Sequence, residues 1–182
     1  MTVDIEKLAR DVQILKDIEA IKRVKHAYFR CIDTANIAEL RDLLDENITA
    51  KLVGGSYDIE FKGREEYLEM VANSFNAEFV GEHTGHHPEI DILSETEAVG
   101  TWYLTDTAMD FRRGVTTIGS ALYRDKYQKQ KDGKWRIVHT AYERVYEMLQ
   151  PITERPNLAS HYLGKHGRKE LTYTVTDVYQ KH

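Results

Sequence analysis

From Ile5 the apolar positions Leu8, Val12, Leu15, Ile18, Ile21 and Val24 recur every three or four residues, the spacing that keeps one face of an α-helix apolar. The pattern predicts one long amphipathic helix that ends between Phe29 and Ile32, with its inner stripe reaching Tyr28. A second helix is expected over about 37–44, with Asp33, Thr34 or Asn36 available as its cap, and a third over about 64–75. Residues 48–53 and 57–61 read as short strands around Gly54-Gly55. The second half changes character: segments of about 88–93, 96–110, 116–129 and 134–147 are rich in Val, Ile, Thr, Tyr and Trp, and Asp132-Gly133 marks a hairpin between the last two.

Helices first and long strands afterwards predict an α+β fold: an antiparallel sheet whose helices cover one face. Strong twist curls such a sheet, and a curled sheet capped by a long helix leaves a concave cavity, a common type of small-molecule site. Residues 1–150 form a single domain on this reading, and 151–182 a C-terminal extension broken by Pro156 and Gly164. In that extension Leu171, Tyr173, Val175 and Tyr179 alternate with mostly polar residues. The tail reads equally as an extra strand, a lid or a mobile end.

Composition narrows the partners. A chain of 182 residues, 41% hydrophobic, has enough length for one sizeable core. Its formal charge of −5, with no sustained basic stripe, argues against nucleic acid or an anionic membrane and favours a hydrophobic small molecule. No apolar run approaches the ~20 residues that span a bilayer, and the start lacks a secretory pattern, so a cytoplasmic location is expected. The single Cys31 lies inside a helical pattern and is read as a buried small hydrophobe. There is no Gly-rich phosphate loop, Gly-x-Ser-x-Gly elbow or paired Cys motif.

Strand alternation puts Trp102, Leu104, Asp106 and Ala108 on one face, so Asp106 shares a side with large apolar residues and needs a partner. Val138, Thr140, Tyr142 and Arg144 likewise share a face, which points Arg144 toward the same cavity. Asp106 and Arg144 read equally as site residues or as a structural ion pair. Three histidines, His83, His86 and His87, fall within five positions, but no carboxylate or Cys spacing completes a metal site, and no metal or cofactor is expected. One of them, held by Asp106 through one ring nitrogen, would keep the other nitrogen as a general base. Tyr28, near the end of the first helix, either packs its ring or donates a hydrogen bond to a carbonyl oxygen gaining charge. Asp33 either caps the second helix or faces the cavity mouth. The remaining aromatics, among them Tyr67, Tyr123 and Tyr142, read as core or pocket wall.

Three long stretches carry a resemblance: KDIEAIKRVKHAYFRCID at 16–33, HTGHHPEIDILSETEAVGTWYLTD at 83–106, and DKYQKQKDGKWRI with HTAYERVYE in the closing hairpin. Over about residues 15–150 the chain resembles the SnoaL-like branch of the nuclear transport factor two-like superfamily, and within it the bile-acid 7α-dehydratases. It is also similar to the scytalone dehydratases. Residues 54–80 follow the pattern loosely and the tail beyond Glu147 does not follow it. The resemblance implies a cystatin-like α+β barrel in which a cone-shaped, curved antiparallel or mixed sheet and its helices enclose a pocket, no metal, a homo-oligomer (trimer or dimer), and a site of Tyr28, Asp33, His83, Asp106 and Arg144. The implied chemistry is cofactor-independent dehydration of a hydrophobic cyclic, steroid-like or aromatic hydroxy-ketone. In it His83, oriented by Asp106, removes a C–H proton, Tyr28 binds the enolate-like oxygen, and Asp33 or Arg144 assists the departing hydroxyl. An isomerase or cyclase, a non-catalytic binding or assembly protein, and the small subunit of a ring-hydroxylating oxygenase are the competing expectations for this fold.

Overall fold

A computed structural model describes residues 4–55 and 57–172. The elements, in chain order, are α1 (Ile5–Asp33), α2 (Ile37–Leu43), β1 (Leu44–Val53), β2 (Asp58–Lys62), α3 (Arg64–Ser74), β3 (Phe79–Ile92), β4 (Glu97–Asp110), β5 (Val115–Lys129), β6 (Trp135–Pro151) and α4 (Tyr162–His166). The Asp4 side chain caps α1 by accepting from the Lys7 N–H, and Asn36 rather than Asp33 or Thr34 caps α2 by accepting from the Glu39 N–H. The six strands form one sheet in the order β2-β1-β6-β5-β4-β3. All pairs are antiparallel except β1 with β6, so the curved sheet is mixed. Helices α1 and α3 cover its inner face. Among the described residues no helix is long and apolar enough to cross a membrane.

The long apolar pattern of α1 divides in two. Residues 4–16 are exposed throughout, and burial begins at Asp17, continuing through Ile21, Lys25, Tyr28 and Ile32. Asp17 seats the helix on the closing hairpin by accepting from Trp135 Nε1 at 2.9 Å and pairing with Lys129 at 2.7 Å. The expectation of one inner stripe from Ile5 to Tyr28 is therefore corrected, because Ile5, Leu8, Val12 and Leu15 lie ahead of this seat.

Strand β4 follows the predicted alternation: Trp102, Leu104 and Asp106 are buried while Tyr103, Thr105 and Thr107 are exposed. Strand β6 departs from simple alternation at two bulges, where the register slips opposite Lys126/Tyr127 and opposite Ser120/Ala121. The first slip leaves Val138 unpaired between Ile137 and His139. Trp135 and Ile137 then face inward ahead of it and Thr140, Tyr142 and Arg144 after it, so Val138 leaves the face assigned to it from sequence. Such bulges re-aim side chains while the strand continues. Strand β3 begins at Phe79, well before the predicted 88. The tail contributes the short α4, whose Leu163 is buried. The alternation expected through Tyr173, Val175 and Tyr179 lies outside the described residues.

Candidate active site

Four of the five sequence-derived residues, Tyr28, His83, Asp106 and Arg144, line one cavity of about 130 Å³ between α1, α3 and the inner face of the sheet. Asp33 stands behind His83 at the cavity's outer side, in a shallow groove with Phe29 and Gly85. The β-ladder sets His83 directly opposite Asp106. The expected His83–Asp106 bond is nevertheless absent, because each group is committed elsewhere.

His83 belongs to Asp33. Its Nδ1 lies 2.6 Å from Asp33 Oδ1, and its backbone N–H donates to Oδ2 at 3.1 Å, so the last turn of α1 clamps the ring through both carboxylate oxygens. The carboxylate orients the imidazole, favours the Nδ1–H tautomer, and leaves Nε2 for proton transfer. Phe29 stacks on the ring with 13° between planes, and Phe75 meets it edge-on. Gly85 makes the first contact feasible: a Cβ there would lie 2.0 Å from the Phe29 ring. With Asn36 serving as the cap of α2, Asp33 is free for this task.

Asp106 belongs to Arg144. The guanidinium donates from Nη1 to Oδ1 at 2.5 Å and from Nη2 to Oδ2 at 2.9 Å, a two-pronged geometry that suits a carboxylate only 3% exposed. Gly119 on β5 lies beneath this pair; a Cβ there would come 2.8 Å from Arg144 Nη1 and 2.9 Å from the Tyr146 carbonyl. Arg144 Nε reaches Tyr57 Oη at 3.3 Å and Glu147 Oε1 at 3.4 Å. Burial pulls the guanidinium pKa down, but the bonds and field of Asp106, together with Tyr57 and Tyr142, more than offset it and hold the group charged.

Phenols make up much of the cavity wall. Tyr28 Oη and Tyr67 Oη are 2.5 Å apart, and Tyr57 Oη and Tyr142 Oη 2.6 Å apart, with Tyr123 between these pairs. Burial first, then neighbouring phenols, pushes the Tyr28 pKa well above 10, so it is a donor at neutral pH. Apolar wall comes from Ile32, Leu52, Met70, Val71, Phe75 and Phe79.

One layer below lies a charge pair that the sequence reading missed. Lys25 and Asp125 are both fully buried, with Nζ 2.7 Å from Oδ2. The ammonium makes no well-angled hydrogen bond; it is flanked by ring faces, 3.6 Å from the centroid of Tyr123 and 4.3 Å from that of Tyr28. Burial lowers its pKa and Asp125 opposes the fall. Asp125 also accepts from Tyr127 Oη and Thr140 Oγ1, each at 2.8 Å, and Tyr127 in turn accepts from Trp102 Nε1 at 3.0 Å. The signal was present in the spacing, since Ile18, Ile21, Lys25, Tyr28 and Ile32 step by three and four along the buried face.

The other histidines stand apart from the cavity. Strand pairing shifts between His86 and Glu89, and His87 adopts φ 50°, which turns His87 to the exposed side of the strand. His86 instead stacks on Tyr103, bonds Thr105 Oγ1 at 3.1 Å, and holds His87 Nδ1 at 2.7 Å from its own Nδ1. Among the described residues no group of three or more His, Cys, Asp or Glu could hold a metal ion. Cys31 is fully buried, as its helical position predicts, and burial pushes its thiol pKa up to about 11.

Known structures share this architecture. A scytalone dehydratase-like protein from Novosphingobium aromaticivorans DSM 12444 is 20% identical, with a TM-score of 0.68 over 80% of this chain and 99% of that one. The hexachlorocyclohexane dehydrochlorinase LinA-type3 from Novosphingobium barchaimii LL02 is 16% identical, with a TM-score of 0.69 over 82% of this chain and 99% of that one. An NTF2-like protein with a cystatin-like fold from Novosphingobium aromaticivorans is 16% identical, with a TM-score of 0.64 over 80% of this chain and 92% of that one. At these identities the likeness concerns the fold. The profile of the SnoaL-like domain matches residues 13–141, a span that holds Tyr28, Asp33, His83 and Asp106 and ends just before Arg144, and the chain belongs to the SnoaL-like domain family.

Proposed function

We propose that the protein is a cofactor-independent lyase that eliminates water from a hydrophobic cyclic, steroid-like or aromatic hydroxy-ketone. The observation that carries this reading is the His83–Asp33 clamp, which presents one oriented imidazole to a cavity that also holds the Tyr28 phenol and the Arg144–Asp106 pair. His83 Nε2 takes the proton from the carbon beside the carbonyl, and Asp33 stabilises the imidazolium that forms. The electron pair moves onto the carbonyl oxygen, where Tyr28 donates a hydrogen bond that strengthens as charge develops. The enolate then collapses, forms the carbon–carbon double bond and breaks the carbon–oxygen bond. The departing hydroxide takes the proton from His83 and leaves as water, which restores the neutral imidazole.

In this scheme Asp33 is held on the far nitrogen of His83 and does not assist the leaving group, and Asp106 fixes Arg144 rather than His83. Arg144 faces the cavity and holds the oxygen of the leaving group or of a neighbouring polar substituent. The names of two similar structures, scytalone dehydratase and dehydrochlorinase, both denote eliminations, which supports the same reaction class.

The test is mass-spectrometric screening of wild type and His83→Ala against steroid and aromatic β-hydroxy ketones, scored for loss of one water. Dehydration by wild type alone supports the lyase. Ligand-induced thermal stabilisation without any mass change would replace it with the isomerase or binding reading.

A further inference from the structure

The apolar positions on the exposed start of α1 form a seam of their own. Ile5, Leu8, Val12 and Leu15 step by three, four and three, and they are 76%, 52%, 40% and 63% exposed. At about 100° per residue this seam points about 160° away from Asp17 and Ile21, the residues that seat α1 on the sheet. It therefore faces outward, where the domain's own body does not obstruct it. The seam also precedes most of the family match, which begins at residue 13.

We propose that this seam pairs with the same seam of a second copy of the chain, in register, as a parallel two-stranded coiled coil. In heptad terms Ile5 and Val12 occupy a and Leu8 and Leu15 occupy d, and β-branched residues at a with Leu at d favour two parallel strands. The flanking charges choose the same direction. Asp11 at g faces Lys16 at e of the partner when the helices run parallel, whereas an antiparallel pair sets the acidic g positions, Asp4 and Asp11, against each other. The seam ends where Glu19 and Lys22, bonded to each other, take the next a and d positions.

Two heptads in a free peptide would not hold, since the helix itself must first be nucleated. Here that cost is already met. The seam continues a helix whose second half is buried, and Asp4 caps its start. Coverage of the seam removes four large apolar side chains per copy from water, the driving force for association.

The test uses the single native thiol as a silent background, since Cys31 is fully buried. In a parallel in-register pair each a residue meets its own copy, within the ~4.4–6.8 Å Cα separation that a disulfide bridges. Air oxidation of full-length Val12→Cys should give a covalent dimer as the main product, and Arg10→Cys, on the outer side of the coil, should give little. Light scattering at tens of micromolar should find wild type at twice 21.1 kDa and Leu8→Glu/Leu15→Glu at 21.1 kDa, with unchanged circular dichroism beyond the exposed turns. A wild-type mass of one or three chains, an assembly that survives the double Glu variant, or equal crosslinking at positions 12 and 10 would overturn the proposal.

Discussion

The buried Lys25–Asp125 pair offers the sharpest energetic prediction. Both side chains are 0% exposed, and the pair lies directly beneath the rings of Tyr28 and Tyr123. Lys25→Met keeps the apolar stem but removes the charge. Asp125 would keep its bonds from Tyr127 and Thr140 yet lose its counter-ion, and an uncompensated buried charge costs about 3–5 kcal/mol. For a chain of this length, at about 2–4 °C per kcal/mol, that loss lowers Tm by roughly 6–20 °C. Lys25→Met/Asp125→Asn removes both charges and should recover most of the loss, because replacing both members of a buried pair is often close to neutral. Urea unfolding followed by tryptophan fluorescence, at one fixed protein concentration, measures wild type and both variants. Trp102 sits in the same network through Tyr127 and reports on it directly. A Lys25→Met protein within about 1 kcal/mol of wild type, or a double variant no better than the single one, would refute the account of a desolvated pair.

Other expectations concern the cavity and the tail. Tyr28→Phe leaves the Tyr67 hydroxyl without its partner, which should cost about 1–3 kcal/mol in unfolding free energy. With a hydroxy-ketone substrate it should lower kcat by about 10²–10³ while KM changes far less; an equal effect on both would make Tyr28 a binding residue. Gly119→Ala should push Arg144 off Asp106 and reduce turnover while the fold persists, and an alanine variant with full activity would show that the pair is not needed in this geometry. Arg168, followed by Thr172 and Asn73, holds Glu69 down at about 2, below its ordinary 4.5. A depressed acid contributes stability that is present above pH 4.5 and is lost as pH falls toward 2. Faster amide exchange at Ala77 and Thr172, which bond to the Arg168 carbonyl and the Asn73 side chain, should appear in that window after correction for intrinsic rates, and uniform protection across it would contradict the linkage.

Much of the architecture was legible because it rests on local pattern. The periods of α1, α3 and β4, and the turn at Asp132-Gly133, where Gly133 adopts φ 78°, are set by residues close in sequence. Features that depend on distant partners were harder to read. The bulges of β6 arise from its fit to β5, and simple alternation misplaces Val138. The first half of β3 carries Gly81, Gly85 and polar residues, so nothing in it announces a strand; its pairing with β4 makes it one. The Asp106–Arg144 pair was one of the two readings that alternation offered, but the partner of His83 was not reachable. Cross-strand proximity of His83 and Asp106 suggested a bond, while the actual contact joins His83 to Asp33, a pairing fixed by where α1 ends over the sheet. Lys25 escaped notice because a lysine reads as solvated, although its spacing follows the buried face.

In the proposed elimination His83, held by Asp33, is the base. The most direct measurement is the dehydration rate of Asp33→Asn beside wild type and Asp106→Asn, on whichever hydroxy-ketone the wild type converts. Asp33→Asn should lose about 10²–10⁴ in kcat because the imidazole loses its tautomer and its counter-charge, with the folded circular dichroism spectrum retained. Wild-type turnover in Asp33→Asn would rule out an Asp33-held His83 as the base, and if Asp106→Asn alone lost activity, the base would have to be assigned a different partner.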